Sequence, residues 1–99
     1  MAAYQVSYTR EAIIDIEEAA GWYDRQQKGL GNKFLNSLRS SQRIIRKNPF
    51  AFALKYDEVR CIPVSRFPFL VHYKIYPGEK KIIVFAVFHT SLDPGKLQY

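Results

Sequence analysis

The sequence predicts an α+β fold: a helical hairpin packed on one face of a small, mainly antiparallel sheet, in the order β-α-α-β-β-β. Three observations carry this expectation. An alternating stretch opens the chain, two segments of helical periodicity flank "KGLG", and three β-rich runs fill the second half. A length of 99 residues suits one domain spanning residues 1–99, and 47% hydrophobic with 15% aromatic residues is enough to fill one core.

In "AYQVSY", Tyr4, Val6 and Tyr8 alternate with Gln5 and Ser7, the period of a half-buried strand. Thr9 then offers an N-cap hydroxyl, and Glu11 puts negative charge in a first helical turn. Ala12, Ile13, Ile16, Ala19, Ala20 and Tyr23 form an apolar stripe at spacings of three and four, so the first helix is expected from Arg10 to Gln27. The two glycines of "KGLG" suit a helix end and a tight turn. A second helix is expected from Asn32, turning Phe34, Leu35, Leu38, Ile44 and Ile45 inward and Arg39, Arg43, Arg46 and Lys47 away. Pro49 stops it, because the residue before proline is pushed out of helical backbone.

The stretch "PFAFALKYDE" reads as a loop before the strands "VRCIPV", "FPFLVHYKIY" and "KIIVFAVFHT". The middle run alternates, sending Phe69, Val71, Tyr73 and Ile75 one way and Leu70, His72, Lys74 and Tyr76 the other. "PGEK" makes the turn to the last run, whose unbroken apolar stretch from Ile82 to Phe88 predicts a central strand covered on both faces.

Charge narrows the function. The chain carries a formal net charge of +6, yet residues 1 to 24 hold one basic side chain, Arg10, against five acidic ones. The other 14 basic residues follow, against four acidic ones, which points a polyanionic partner, nucleic acid or an acidic protein segment, at the later elements. No run is long and apolar enough for a membrane span and no leader pattern opens the chain, so a cytoplasmic protein is expected. The lone Cys61 excludes an internal disulfide and reads as a small buried hydrophobe. Phosphate-loop, HExxH, GxSxG and CxxC signatures are missing, and no metal or cofactor is expected.

The remaining basic, histidine and tyrosine side chains suffice for metal-independent RNA cleavage, which needs a proton acceptor, a proton donor and fixed positive charge at the phosphate. Arg60 is the candidate for the phosphate, because its planar fork binds two oxygens together. His89 is the candidate for proton transfer near neutral pH. Plainer roles compete: His89 can bond a neighbouring loop, Arg60 can pair with Asp57 or Glu58, and His72 and Lys74 can simply solvate an open sheet face. Trp22 and Tyr23 read as packing at the end of the first helix. Tyr99 either frays or folds back to stack on a base.

Taken together, "YQVSYTREAIIDIEEAAGWY", "GLGNKFLNSL", "IIRKNPFAF", "VRCIPVSRFPFLVHYKI" and "IIVFAVFHTSLDP" resemble the RelE/ParE superfamily of toxins from type II toxin-antitoxin operons, also called plasmid stabilisation proteins. The resemblance spans nearly the whole chain. It implies a growth-inhibiting toxin neutralised by a cognate antitoxin. Members of the superfamily either cleave messenger RNA on the ribosome or inhibit DNA gyrase by binding, and an attenuated member would bind its antitoxin alone. By this likeness Arg60 and His89 are the catalytic positions of an endoribonuclease, and Lys55, Arg66, His72, Lys74 and Tyr99 are expected to touch nucleic acid or another target. Two departures weaken the nuclease branch: Leu92 stands where many relatives have arginine, and Lys55 is the one nearby match to the paired lysines of active nucleases.

Overall fold

A computed structural model of the chain describes residues 3–91. Tyr99 and Leu92, both singled out by the sequence, lie outside the described residues. The elements run β1 (Gln5–Tyr8), α1 (Arg10–Gln26), α2 (Leu30–Lys47), β2 (Leu54–Tyr56), β3 (Val59–Pro63), β4 (Phe69–Tyr76) and β5 (Lys81–His89). The five strands form one sheet in the order β1-β5-β4-β3-β2, with β1 parallel to β5 and the other pairs antiparallel. The helical hairpin covers one face, as the sequence predicts.

Local chemistry sets the helix ends. The Thr9 hydroxyl accepts from the Ala12 N–H at 3.1 Å, the expected N-cap. Gly29 takes a φ of 89°, the left-handed backbone that lets the chain reverse between the helices. Gly31 serves another purpose, since it lies inside the first turn of α2, where a Cβ would come within 2.6 Å of the Ala20 carbonyl oxygen. Its N–H donates to the Asp24 side chain, Oδ1, at 2.7 Å, which ties the start of α2 to α1 where their backbones pass closest.

The core lies between hairpin and sheet. Phe34, Ile45, Tyr73, Ile82 and Val84 are fully enclosed there, each worth roughly 1.5–3 kcal/mol of apolar burial. Polar bonds fix how the hairpin sits on the strands. Tyr73 Oη donates to the Pro49 carbonyl and Ser41 Oγ to the Pro63 carbonyl, both at 2.9 Å, and Tyr8 Oη donates to Gln42 Oε1 at 2.6 Å.

Several expectations need correction. The stretch read as a loop contains β2, too short to announce itself by alternation. Its hairpin to β3 turns through Asp57 and Glu58, both at positive φ, the backbone a tight two-residue turn requires. The second helix starts at Leu30 rather than Asn32, and the first stops at Gln26. Ile13 and Ile44 are 46% and 49% exposed, because each sits about 100° round its helix from the buried neighbour, Ala12 or Ile45, that marks the core. Trp22 is also about half exposed, while Tyr23 packs among Phe34, Phe67 and Phe69.

Candidate functional site

The register of the sheet decides which candidate residues share a neighbourhood. Arg60 on β3 faces Tyr73 on β4, and His89 at the end of β5 faces Phe69 at the start of β4. Paired residues project to one side of a sheet, so both candidates lie on the side that the helices cover, at opposite ends. Four residues along β4 and two strand spacings put their Cα atoms roughly 16 Å apart.

Each is engaged locally. The Arg60 guanidinium donates to the Phe52 carbonyl and lies over the Phe50 ring, 5.2 Å from its centroid, rather than pairing with Asp57 or Glu58. It also acts on Tyr73, whose hydroxyl burial pushes up to about 12 while the nearby guanidinium charge works the other way. His89 is exposed, and its Nδ1 accepts from the Ser91 N–H at 3.1 Å. The Phe69 ring meets the imidazole edge to face at 5.4 Å.

The outer face of the sheet gathers a different set. His72 is fully enclosed rather than solvating an open face, because Tyr56, Phe85 and Phe88 surround it with rings at 5.9, 6.3 and 5.2 Å. Its Nδ1 lies 3.1 Å from Tyr56 Oη and 3.3 Å from Cys61 Sγ, whereas Nε2 is buried with no hydrogen-bond partner. Burial, helped by the Lys55 charge, lowers its pKa from 6.5 to about 4, so the ring is neutral near pH 7. Cys61 is half-buried against this imidazole, not a hydrophobe enclosed in the core.

Lys74 is half-buried on the same outer face, its Nζ 6.0 Å from the Phe85 ring centroid. A bulge at Phe85, opposite the step between His72 and Tyr73, aims that ring into a cavity of ≈ 450 Å³ with Tyr56, Lys74 and Tyr76. Lys55 is exposed on β2 beside it. Arg66 stands apart, at a φ of 71° in the β3–β4 connection, on a hollow shared with Tyr23, Leu30 and Lys33 at the turn of the helical hairpin.

The candidate residues therefore fall into separate places. His72 and Lys74 share the outer face, with the Lys55 charge near enough to act on His72, while Arg60, His89 and Arg66 lie in separate places. Sequence reasoning missed Tyr56 and Phe85, which build the outer-face cavity. The signal for Tyr56 lay in "KYDEVR", where a tyrosine precedes two turn-forming acidic residues and a β-branched one. Among the described residues no group of three or more histidine, cysteine, aspartate or glutamate side chains is arranged to hold a metal ion.

Comparison with known proteins places this arrangement. The family model for the ParE toxin of the type II toxin-antitoxin system parDE matches residues 6–94. The chain belongs to the ParE toxin family. No curated protein matches it. Its fold is similar to solved structures at low sequence identity. The chromosomal ParDE toxin-antitoxin system of P. aeruginosa gives a TM-score of 0.75 at 15% identity, covering 88% of this chain and 96% of the other. The intact E. coli RelBE toxin-antitoxin complex gives 0.68 at 14%, covering 88% and 96%. A RelBE toxin-antitoxin complex of Mycobacterium tuberculosis gives 0.65 at 16%, covering 90% and 93%. The superfamily expected from the sequence is thus the right one, and the chain is a toxin of the type II class. Among the described residues of this ParE-family chain no helix is long and apolar enough to cross a membrane.

Proposed function

We propose that this toxin arrests growth by binding a protein target, DNA gyrase, rather than by cutting messenger RNA. The observation that carries the reading is the separation of Arg60 from His89. In-line attack by a ribose hydroxyl needs phosphate stabilisation and proton transfer within hydrogen-bond reach of the same reacting atoms, about 3 Å. Two residues whose Cα atoms lie roughly 16 Å apart on a stiff sheet, one with its guanidinium held by the Phe52 carbonyl and the other ringed against Phe69, do not converge on one phosphate. His72 does not replace His89, since an enclosed imidazole whose pKa is lowered to about 4 is uncharged and weakly basic near pH 7 and is closed to a substrate. The family match adds to this, being to the ParE branch of the superfamily.

The partner that silences the toxin is a cognate antitoxin. This part of the reading rests on the three solved structures named above, which are toxin-antitoxin systems or complexes. The test is direct: purified toxin is added to gyrase and supercoiled plasmid, and trapped cleavage complexes are counted. Accumulation that the co-expressed antitoxin abolishes supports the proposal. Gyrase indifferent to the toxin rejects it.

RNA cleavage is the second reading, favoured by one feature, an outer-face cavity lined by Lys74, Tyr56 and Tyr76, with the Lys55 charge acting on nearby His72. It would place the reaction on the outer face, away from both Arg60 and His89.

A further inference from the structure

The strand β1 pairs with β5 from Gln5 opposite Lys81 to Tyr8 opposite Val84, and there it stops as the chain turns into α1. Beyond Val84, among the described residues, no strand lies beside β5 on that side. The backbone groups there can be assigned. The Thr90 N–H donates to the Pro68 carbonyl, towards β4, so the odd-numbered residues before it face the other way. The Val87 N–H accordingly donates outward, to Asp15 Oδ2 at 3.0 Å. By the same alternation the Val87 carbonyl and the His89 N–H point to the bare edge.

Two adjoining hollows of ≈ 300 Å³ each run beside this edge, sharing Ala19, Phe69 and His89. One is walled by Asp15 and Glu18, the other by Trp22 and Tyr23. The wall is acidic in a chain of net charge +6, and Glu11 lies close enough to Asp15 to act on it alongside Glu18. At the far end Trp22 is 51% exposed, held edge to face on Tyr23 at 5.1 Å, and offers a large ring to solvent.

We propose that the groove between α1 and the bare edge of β5 binds an extended, positively charged segment of a partner protein, which adds a strand to the sheet beyond the end of β1. Backbone bonds to the Val87 carbonyl and the His89 N–H give such a segment its register. Its alternate side chains then reach the Asp15 and Glu18 carboxylates, and a lysine or arginine further along meets the Trp22 ring. Charge selects the occupant: an acidic segment would meet carboxylates already close together, whereas a basic one relieves their repulsion. The site stands independently of the toxin's target and is opposite in sign to the basic surface offered by the later elements.

The experiment uses the full chain, labelled with ¹⁵N, and two acetylated, amidated eight-residue peptides that alternate valine with lysine or valine with glutamate. The lysine peptide is expected to shift the amides of residues 15–22 and 85–90, to slow exchange of the His89 amide, and to bind about tenfold more tightly than the glutamate peptide. Glu18 is exposed, so Glu18→Lys keeps the fold and should weaken the lysine peptide by about tenfold. Equal binding of the two peptides, shifts confined to other surfaces, or an affinity untouched by Glu18→Lys would each overturn the proposal. Because the protein is itself basic, general electrostatics oppose the lysine peptide, and its preference would report this groove.

Discussion

Arg60 and His89 project to the same side of the sheet but stand at its opposite ends, facing Tyr73 and Phe69 across β4. A strand pair cannot close such a gap without shifting register, and a shift of one residue would turn every core side chain outward. If His89 has no part in chemistry, His89→Ala should leave growth arrest unchanged. Colony counts after induced expression check this.

Arg60 works as a fastener. Its guanidinium ties β3 to the Phe52 carbonyl and packs over Phe50, a charge-assisted bond worth about 1.5–3 kcal/mol. Arg60→Ala should therefore lower stability by about 2 kcal/mol in urea unfolding. Any loss of toxicity it causes should scale with the unfolded fraction.

His72 predicts a pH dependence. Its folded pKa of about 4 lies below the 6.5 of the unfolded chain, so between these values the unfolded state binds a proton that the folded state does not. The contribution is complete above pH 6.5 and is lost as pH falls towards 4, by about 3 kcal/mol in all. Asp15 works in the opposite sense, since its raised pKa means that the folded state takes up a proton first on acidification. The His72 effect should dominate urea midpoints between pH 7 and 4.5, and His72→Phe should flatten the profile.

Gly31→Ala tests the backbone contact between the helices. The added Cβ meets the Ala20 carbonyl at 2.6 Å and the Asp24 carboxyl at 2.8 Å, and the carbonyl cannot swing aside without parting α1 from α2. Although alanine favours helix, the crowding should cost about 1–3 kcal/mol net, read as a lowered thermal midpoint.

Tyr73→Phe removes a buried hydroxyl that bonds the Pro49 carbonyl and links β4 to the end of α2. The orphaned carbonyl should cost about 1–3 kcal/mol, again by urea unfolding. Tyr8→Phe offers a partial control, because its hydroxyl reaches a half-buried glutamine that water can also serve.

The helices, β1 and β4 were legible because each repeats a period, 3.6 or 2, and β5 because an unbroken apolar run marks a strand covered on both faces. The strand β2 repeats nothing in three residues and is defined by its partner, β3, and by the turn at Asp57 and Glu58. Ile13 and Ile44 were misjudged because hydrophobicity marks a stripe without fixing its centre, which the sheet beneath decides. The site was less legible than the fold. Register places Arg60 and His89, and register depends on long-range pairing. His72 looked outward by alternation, and so it is, but rings from β2 and β5 bury it.

The most direct test of a toxin that binds rather than cuts is to map transcript 5′ ends on translating ribosomes during induced growth arrest. The account predicts that messages remain intact while growth stops. New ends within translated reading frames that disappear in His89→Ala or Arg60→Lys would contradict it.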